Sequence, residues 1–138
     1  MATLATHVGT RIEPARDTGR RTNKLVACGI LAGPFYLAVA LAQALTRPGF
    51  DLRRHDISLL SNGSLGWVQI GNFLISGLLV IGAAVGMRRT LVTGRSRTFG
   101  PLLVGLYGLS IALAGIFVAD PAGGFPPGAP ISSNLSWH

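Results

Sequence analysis

The sequence predicts an all-α fold, a polytopic membrane helical bundle with three transmembrane helices. Three apolar segments, residues 25–45, 67–87 and 101–118, contain no Asp, Glu, Lys, Arg or His. At a rise of about 1.5 Å per residue, such segments are about 27–32 Å long, close to the ~30 Å hydrocarbon core of a bilayer. Only 12% of the 138 residues are charged. A water-soluble bundle of this composition would have too little charged surface to stay dissolved.

The N-terminal residues 1–23 are polar and basic, and they include Gly9, Pro14 and Gly19. This composition predicts a disordered cytoplasmic tail, because it offers little apolar surface to bury. Residues 24–138 are then the membrane domain. The first span contains Pro34 near its middle, which is acceptable in a membrane helix when neighbouring helices cover the freed carbonyl.

The loop of residues 46–66 predicts a short helix over residues 55–61 that is capped by Asp56. Gly63 would follow in a left-handed turn, and Trp67 would lie at the membrane interface. After Asp120, residues 121–130 contain four prolines and three glycines. That segment is therefore incompatible with a regular helix or strand.

The distribution of basic residues predicts the orientation. Nine of them lie before the first span or between the second and third, whereas three lie between the first and second. Under the positive-inside rule, the N-terminus and the loop of residues 88–97 are cytoplasmic. Residues 46–66 and 119–138 then form outer, extracytoplasmic loops of a protein in the cell inner (plasma) membrane. Although the net charge is +7, few aromatic residues accompany the basic clusters, so no nucleic-acid partner is expected.

The sequence predicts no cofactor and no metal site. Cys28 is the only cysteine, which excludes an intrachain disulfide or a thiolate cluster. Small residues recur at four-residue spacing in each span, a pattern that lets helix backbones approach closely. It predicts packing within the bundle or, alternatively, self-association of two chains. The pairs are Gly29 and Gly33, Gly82 and Gly86, and Gly108 and Ala112.

Polar residues concentrate at the predicted outer surface. Gln43, Gln69 and Asn72 lie near the outer ends of two spans and are expected to exchange hydrogen bonds between helices. The loops contribute four candidate catalytic residues, Asp56, Ser58, Asp120 and His138. They would serve as metal ligands or acid/base groups with a hydroxyl partner, although none has metal-ligand spacing. The alternatives are a helix cap for Asp56, a helix-ending turn for Asp120 and a solvated His138.

Several motifs resemble a bacterial integral-membrane family of unknown function, DUF 998. They are HDISLLSNG at residues 55–63, GWVQIGNF at 66–73, FVADP at 117–121, GFPPG at 124–128 and SWH at 136–138. The resemblance covers residues 25–138. It implies about six transmembrane helices in the family, no established activity, and a chain that is a truncated, N-terminal half. It marks family-motif polar positions without assigning chemistry to them: Trp67, Gln69, Asn72 and Trp137, besides Asp56, Ser58, Asp120 and His138.

The sequence therefore predicts a multi-pass membrane protein of unknown biochemical role. One hypothesis is a structural or lipid-interacting bundle whose outer loops pack as a lid. An alternative is a membrane-embedded, hydrolase-like enzyme with an outer Asp/His/Ser site. Another is half of a transporter, although no span carries the buried carboxylate that ion coupling usually needs. The expected partners are the lipid bilayer and either a C-terminal half or a second copy.

Overall fold

The computed structural model describes residues 13–129 and 131. It contains three α-helices, α1 (Glu13–Thr46), α2 (Gly66–Thr90) and α3 (Ser96–Ile116), and a short 3-10 helix, Ile57–Ser61. All three α-helices are long and apolar enough to cross a membrane, which confirms the predicted fold class. The third helix ends at Ile116, two residues before the predicted end of its span. No strand occurs in the described part of the chain, where Ala122 and Phe125 form an isolated β-bridge.

The first helix begins at Glu13, so residues 13–23 are helical although the sequence assigned them to a disordered tail. Pro14 does not prevent this helix. It lies in the first turn, where a missing backbone N–H costs nothing and the fixed φ suits the helix. The rest of the predicted tail, residues 1–12, lies outside the described residues.

The central helix is α2, which packs against both α1 and α3. In its most apolar window 39% of residues are buried, against 11% for α1 and 17% for α3. Neighbouring helices run antiparallel, as shown by the approach of Gly86 to Val26 and of Gly29 to Ala83. One end of the bundle therefore holds the N-terminus of α1 and the α2–α3 loop, and the other holds the α1–α2 loop and the segment after α3. We call them the inner and outer ends after the orientation that the sequence predicts.

Close helix contacts depend on glycine. A Cβ added at Gly77 would lie 2.6 Å from the carbonyl oxygen of Gly108, and one at Gly29 would lie 2.8 Å from the Cβ of Ala83. Both distances are shorter than real Cβ contacts, so the helices cross here because the side chains are absent. A Cβ at Gly33 would meet no atom within 4 Å. Gly29, Gly77 and Gly108 thus serve packing within the chain whereas Gly33 does not, and self-association stays a prediction.

The outer loop between α1 and α2 folds onto the helix ends. Its 3-10 helix is followed by Gly63, whose φ of 76° is the left-handed turn that the sequence predicts. Asp56 occupies the N-cap position, but its side chain makes no capping hydrogen bond. The expectation of a capping carboxylate was therefore wrong in its chemistry, although the position was right. Leu59 and Leu60 pack with Ala44 and Phe125 as a small core beneath this loop.

Candidate functional site

Four polar side chains line the contact between α1 and α2, and we call them the amide cluster: Gln43, Gln69, Asn72 and Ser76. All four are buried, and Gln69 is completely so. The Gln43 amide Nε2 donates to Gln69 Oε1 at 2.8 Å, and Asn72 Nδ2 donates to the same oxygen at 3.3 Å. This confirms the predicted exchange of hydrogen bonds between helices.

The cluster extends down α2 towards the middle of the membrane. Asn72 Nδ2 also donates to the backbone carbonyl of Tyr36 at 3.1 Å, and Ser76 Oγ donates to Asn72 Oδ1 at 3.4 Å. Gln69 and Ser76 are seven residues apart on one helix, about 10 Å along its axis. The amide cluster is therefore a polar column on the inward face of two otherwise apolar helices.

Two atoms of the column have no hydrogen-bond partner, Gln43 Oε1 and Gln69 Nε2. One is an acceptor and the other a donor, and they belong to the two amides that already share one bond. An unpaired amide group in an apolar environment is costly. The column therefore has an unused acceptor at Gln43 Oε1, which suits a water molecule or a hydroxyl or amide group of a ligand, whereas the Gln69 side chain also interacts with the Tyr36 side chain.

A groove of about 380 Å³ opens beside the lower end of the column. Its floor is α2, with Ser76 and Phe73, and its walls are α1 and α3. Tyr36 and Tyr107 face it from the two walls, and its remaining lining is apolar. Such a groove suits an apolar chain or a further helix, because hydroxyl groups are the polar groups that it offers.

Above the column, the two outer loops meet in a second cluster, which we call the outer cap: Arg47, Phe50, His55 and Phe125. Arg47 is 8% exposed. Its guanidinium donates to the backbone carbonyls of Leu60 and Asn62. Its Cζ lies 5.0 Å from the centroid of the Phe125 ring, a cation–π distance.

The charge of Arg47 is met by carbonyl dipoles and an aromatic face. Burial lowers the pKa of the Arg47 guanidinium from its ordinary value, because desolvation disfavours the charged form. Arginine nevertheless stays protonated in proteins. Arg47 is four residues beyond Gln43, on the same face of the helix, and its backbone N–H donates to the Gln43 carbonyl at 2.9 Å. Arg47 of the outer cap thus lies one helical turn beyond Gln43 of the amide cluster, so the two clusters adjoin.

His55 joins the loop before α2 to the segment after α3. Its Nδ1 accepts a hydrogen bond from the backbone N–H of Asp51 at 2.9 Å. The ring proton is therefore assigned to Nε2, which lies 3.1 Å from the carbonyl oxygen of Gly123. Phe125 packs edge-on against Phe50, with ring centroids 5.2 Å apart. With both ring nitrogens occupied, His55 acts as a structural brace in this arrangement.

A second hydrogen bond joins the same two segments. Asn62 Nδ2 donates to the backbone carbonyl of Ala119 at 2.9 Å. Gly123 has a φ of 66°, and a Cβ there would lie 3.1 Å from the His55 ring. Glycine is favoured at this position by both backbone conformation and space. The loop after α3 is therefore held against the loop before α2 by side chains of both segments.

Three of the four candidate catalytic residues, Asp56, Ser58 and Asp120, lie in the described part of the chain. Asp56 and Asp120 are exposed, and Ser58 is partly exposed. Their side chains make no hydrogen bond within the described residues, where no three His, Cys, Asp or Glu side chains are grouped for a metal ion. His138 and Trp137 lie outside the described residues. Trp67, in the first turn of α2, is 70% exposed, as an interfacial tryptophan would be.

Sequence reasoning missed the roles of Arg47, His55 and Phe125. In the sequence Arg47 is one of three basic residues between the first two spans, and His55 belongs to the segment HDISLLSNG. Their contacts between the two loops join residues 68 to 78 positions apart in sequence, from His55 with Gly123 to Arg47 with Phe125, so no local spacing reveals them. One available clue was Phe125, a single aromatic residue among the glycines and prolines of residues 121–130.

The chemistry of both clusters is binding and bracing. The amide cluster offers neutral hydrogen-bonding groups, and the outer cap uses its arginine and histidine for contacts within the chain. Neither contains an activated nucleophile or a carboxylate among its described members. The arrangement can therefore keep the two loops packed against each other at one end of the polar column.

Comparison with known proteins yields one match. The model of the family described as "Protein of unknown function (DUF998)" matches residues 30–138. No curated protein and no solved structure matches the chain.

Proposed function

We propose that this chain is a structural and lipid-interacting helical bundle whose two outer loops form a lid. The chain belongs to the DUF998 family of proteins of unknown function. The observation that carries this proposal is the position of Arg47. Its guanidinium contacts carbonyls of the first outer loop and the aromatic ring of the segment after α3. A buried cation shared by two loops favours a fixed lid over two independent, solvated loops.

The proposed location is the cell inner (plasma) membrane, with the N-terminus and the loop of residues 88–97 in the cytoplasm. At the inner end, basic residues lie at the start of the first span and in the α2–α3 loop. At the outer end Arg53 and Arg54 are exposed while Arg47 is buried. Burial of Arg47 thus leaves two exposed outer bases, which strengthens the positive-inside argument.

The alternatives receive no support from the described residues. A hydrolase would need its acid, base and nucleophile within reach of one another, whereas Asp56 and Asp120 are exposed and no hydrogen bond joins either of them to Ser58. Half of an ion-coupled transporter would be expected to carry a carboxylate inside the bundle. The buried column inside this bundle is made of amides and hydroxyls.

We propose further that additional helices cover the groove between α1 and α3, supplied by a C-terminal half of the protein or by a second copy. Gly33 supports this, because it lines the groove and has open space where the other helix-contact glycines are occupied. Outer apolar side chains of α1 and α3 would otherwise face lipid tails, which the bilayer also permits.

Cysteine labelling tests the proposed orientation. In a Cys28→Ser background, single cysteines replace Ser64 in the outer loop and Thr93 in the inner loop, both exposed positions. A membrane-impermeant maleimide added to intact cells should label only the cysteine at 64, and lysis should be needed for 93. Labelling at 93 in intact cells would overturn the proposed orientation.

The same reagent tests whether the outer loops form a lid. A cysteine replacing Leu60, which is fully buried beneath the outer cap, should resist the same reagent until the protein is denatured. Rapid labelling at 60, at the rate seen for 64, would show that the loops are not packed as a lid.

A further inference from the structure

A second groove, of about 390 Å³, lies between α2 and α3 at the inner end of the bundle. Its walls are apolar and come from both helices, with Ile81 and Val85 on α2 and Leu102 and Leu106 on α3. Gly105 lines it without a side chain, and Leu102 and Leu106 are about half exposed. The groove is therefore wide, apolar and open to the surrounding hydrocarbon.

Two arginines, Arg88 and Arg89, lie at one end of this groove. Arg88 Nη1 donates to the Arg97 carbonyl at 2.7 Å and to Thr98 Oγ1 at 3.0 Å, so its guanidinium is held at the start of α3. Arg89 is exposed and makes no hydrogen bond with a described residue. Hydrogen bonds thus hold the Arg88 guanidinium in place, whereas the exposed Arg89 guanidinium is available to bind an anionic group.

Positively charged residues predominate at this end of α2 and α3. Arg95 and Arg97 add to the charge of Arg88 and Arg89, and the N-terminus of α3 adds the positive end of its dipole. No acidic residue occurs in the first turn of α3. Three of the five acidic residues, Asp51, Asp56 and Asp120, belong to the outer loops at the other end of the helices, and the other two, Glu13 and Asp17, are in the first two turns of α1. None of the five lies in α2, in α3 or in the loop between them, so basic residues predominate beside the groove.

We propose that this groove is a binding site for an anionic phospholipid of the inner leaflet. The phosphate group would lie at Arg88 and Arg89, and one acyl chain would follow the apolar walls past Gly105. Charge complementarity favours this occupant, because an apolar groove that ends in arginines at the interface matches the two halves of such a lipid. The inference deepens the lipid-interacting role proposed above and rests on it.

Lipid binding by the purified full chain tests the proposal. Native mass spectrometry of the chain in detergent micelles would be titrated with dioleoyl phosphatidylglycerol and with dioleoyl phosphatidylcholine. The anionic lipid should bind about tenfold more tightly, and inorganic phosphate should not displace it at equal concentration. Displacement by inorganic phosphate would show a headgroup site without a contribution from the groove and would overturn the proposal.

Two matched pairs of variants separate the site from general attraction. Arg88→Gln/Arg89→Gln should remove the preference for phosphatidylglycerol, whereas Arg53→Gln/Arg54→Gln, with the same loss of charge at the exposed outer loop, should retain it. Gly105→Leu fills the groove, since a Cβ there meets only Ala84 at an ordinary 3.7 Å, and Gly100→Leu places the same bulk in open space. Gly105→Leu should weaken binding about tenfold with every arginine present.

Equal losses in both arginine pairs would show nonspecific attraction, and unchanged binding in Gly105→Leu would show that the groove is not occupied by lipid. A dimer that Gly105→Leu disrupts without a change in lipid stoichiometry would assign the groove to a second copy instead. Each of these results overturns the proposal. Since lipid binding in micelles does not depend on orientation, a failure here is distinct from a failure of the cysteine labelling.

Discussion

Arg47 and Phe125 are 78 residues apart in sequence, yet the guanidinium carbon of Arg47 lies 5.0 Å from the centroid of the Phe125 ring. The same guanidinium donates to two backbone carbonyls of the neighbouring loop. One side chain at the end of α1 therefore joins both outer segments.

Replacing Arg47 should loosen both segments at once. Arg47→Lys keeps the charge but loses the two-pronged donation to Leu60 and Asn62, because an ammonium cannot reproduce the planar fork. We expect a loss of roughly 1.5–3 kcal/mol of stability, measured by thermal denaturation in micelles, and faster proteolysis after α3. Arg53→Lys, at an exposed position in the same loop, is the control and should change neither quantity.

The two glutamines of the amide cluster should be energetically coupled. Gln43→Leu or Gln69→Leu alone leaves the other amide buried without its 2.8 Å partner, so each should destabilise the α1–α2 contact by roughly 1–3 kcal/mol. The double variant removes both polar groups and should cost less than the sum of the two. A double-mutant cycle by reversible unfolding in bicelles measures this difference. Strict additivity would show that the two amides do not interact.

The crossing of α2 and α3 should not tolerate a methyl group. Gly77→Ala would place a Cβ 2.6 Å from the Gly108 carbonyl oxygen, and the helices would have to separate. We expect roughly 1–3 kcal/mol of destabilisation, measured in the same unfolding assay. Gly71→Ala on the same helix meets nothing within 4 Å. It should be neutral or slightly stabilising, because alanine is the better helix former; a large loss there would contradict the assigned packing.

Asp56 should be dispensable for the stability of the short 3-10 helix. A true capping carboxylate would be worth about 1 kcal/mol, but Asp56 makes no capping bond and its side chain is exposed. We therefore expect Asp56→Ala to leave the melting temperature unchanged. Asn62→Ala is the matched positive control, since it removes the 2.9 Å bond to the Ala119 carbonyl. A larger loss from Asp56→Ala than from Asn62→Ala would restore the capping interpretation.

We predict that the hydrogen bonds of the His55 ring nitrogens stabilise the outer cap in addition to the aromatic contacts of the ring. His55→Phe keeps aromatic contact with Phe50 and Phe125 but removes the bonds to Asp51 and Gly123. We expect hydrogen exchange at residues 119–125 to increase, while exchange in the middle of α2 stays constant. His55→Gln restores one acceptor and one donor on a single side chain and should recover part of the protection. Equal protection in all three proteins would show that the ring alone holds the cap.

The sequence by itself determined the class of the protein and the positions of its three spans. Long apolar segments without charge have one stable solution, a helix in a bilayer, because the hydrocarbon leaves backbone groups only internal partners. The expected pairing of Gln43 with Gln69 was also within reach. Both residues lie near the same end of adjacent antiparallel spans, and buried amides in a membrane find each other.

Only the tertiary structure decided how the outer loops close and which polar residues they use. Arg47, His55 and Phe125 come from segments with no shared periodicity, and their contacts depend on the turn at Gly123 and the fold of the loop around Leu60. Contacts of this kind are long-range, so local propensity does not encode them. The sequence placed Asp51, Asp56 and Asp120 in the segments that meet at one end of the bundle, whereas packing selected an arginine, a histidine and backbone carbonyls to hold that end together.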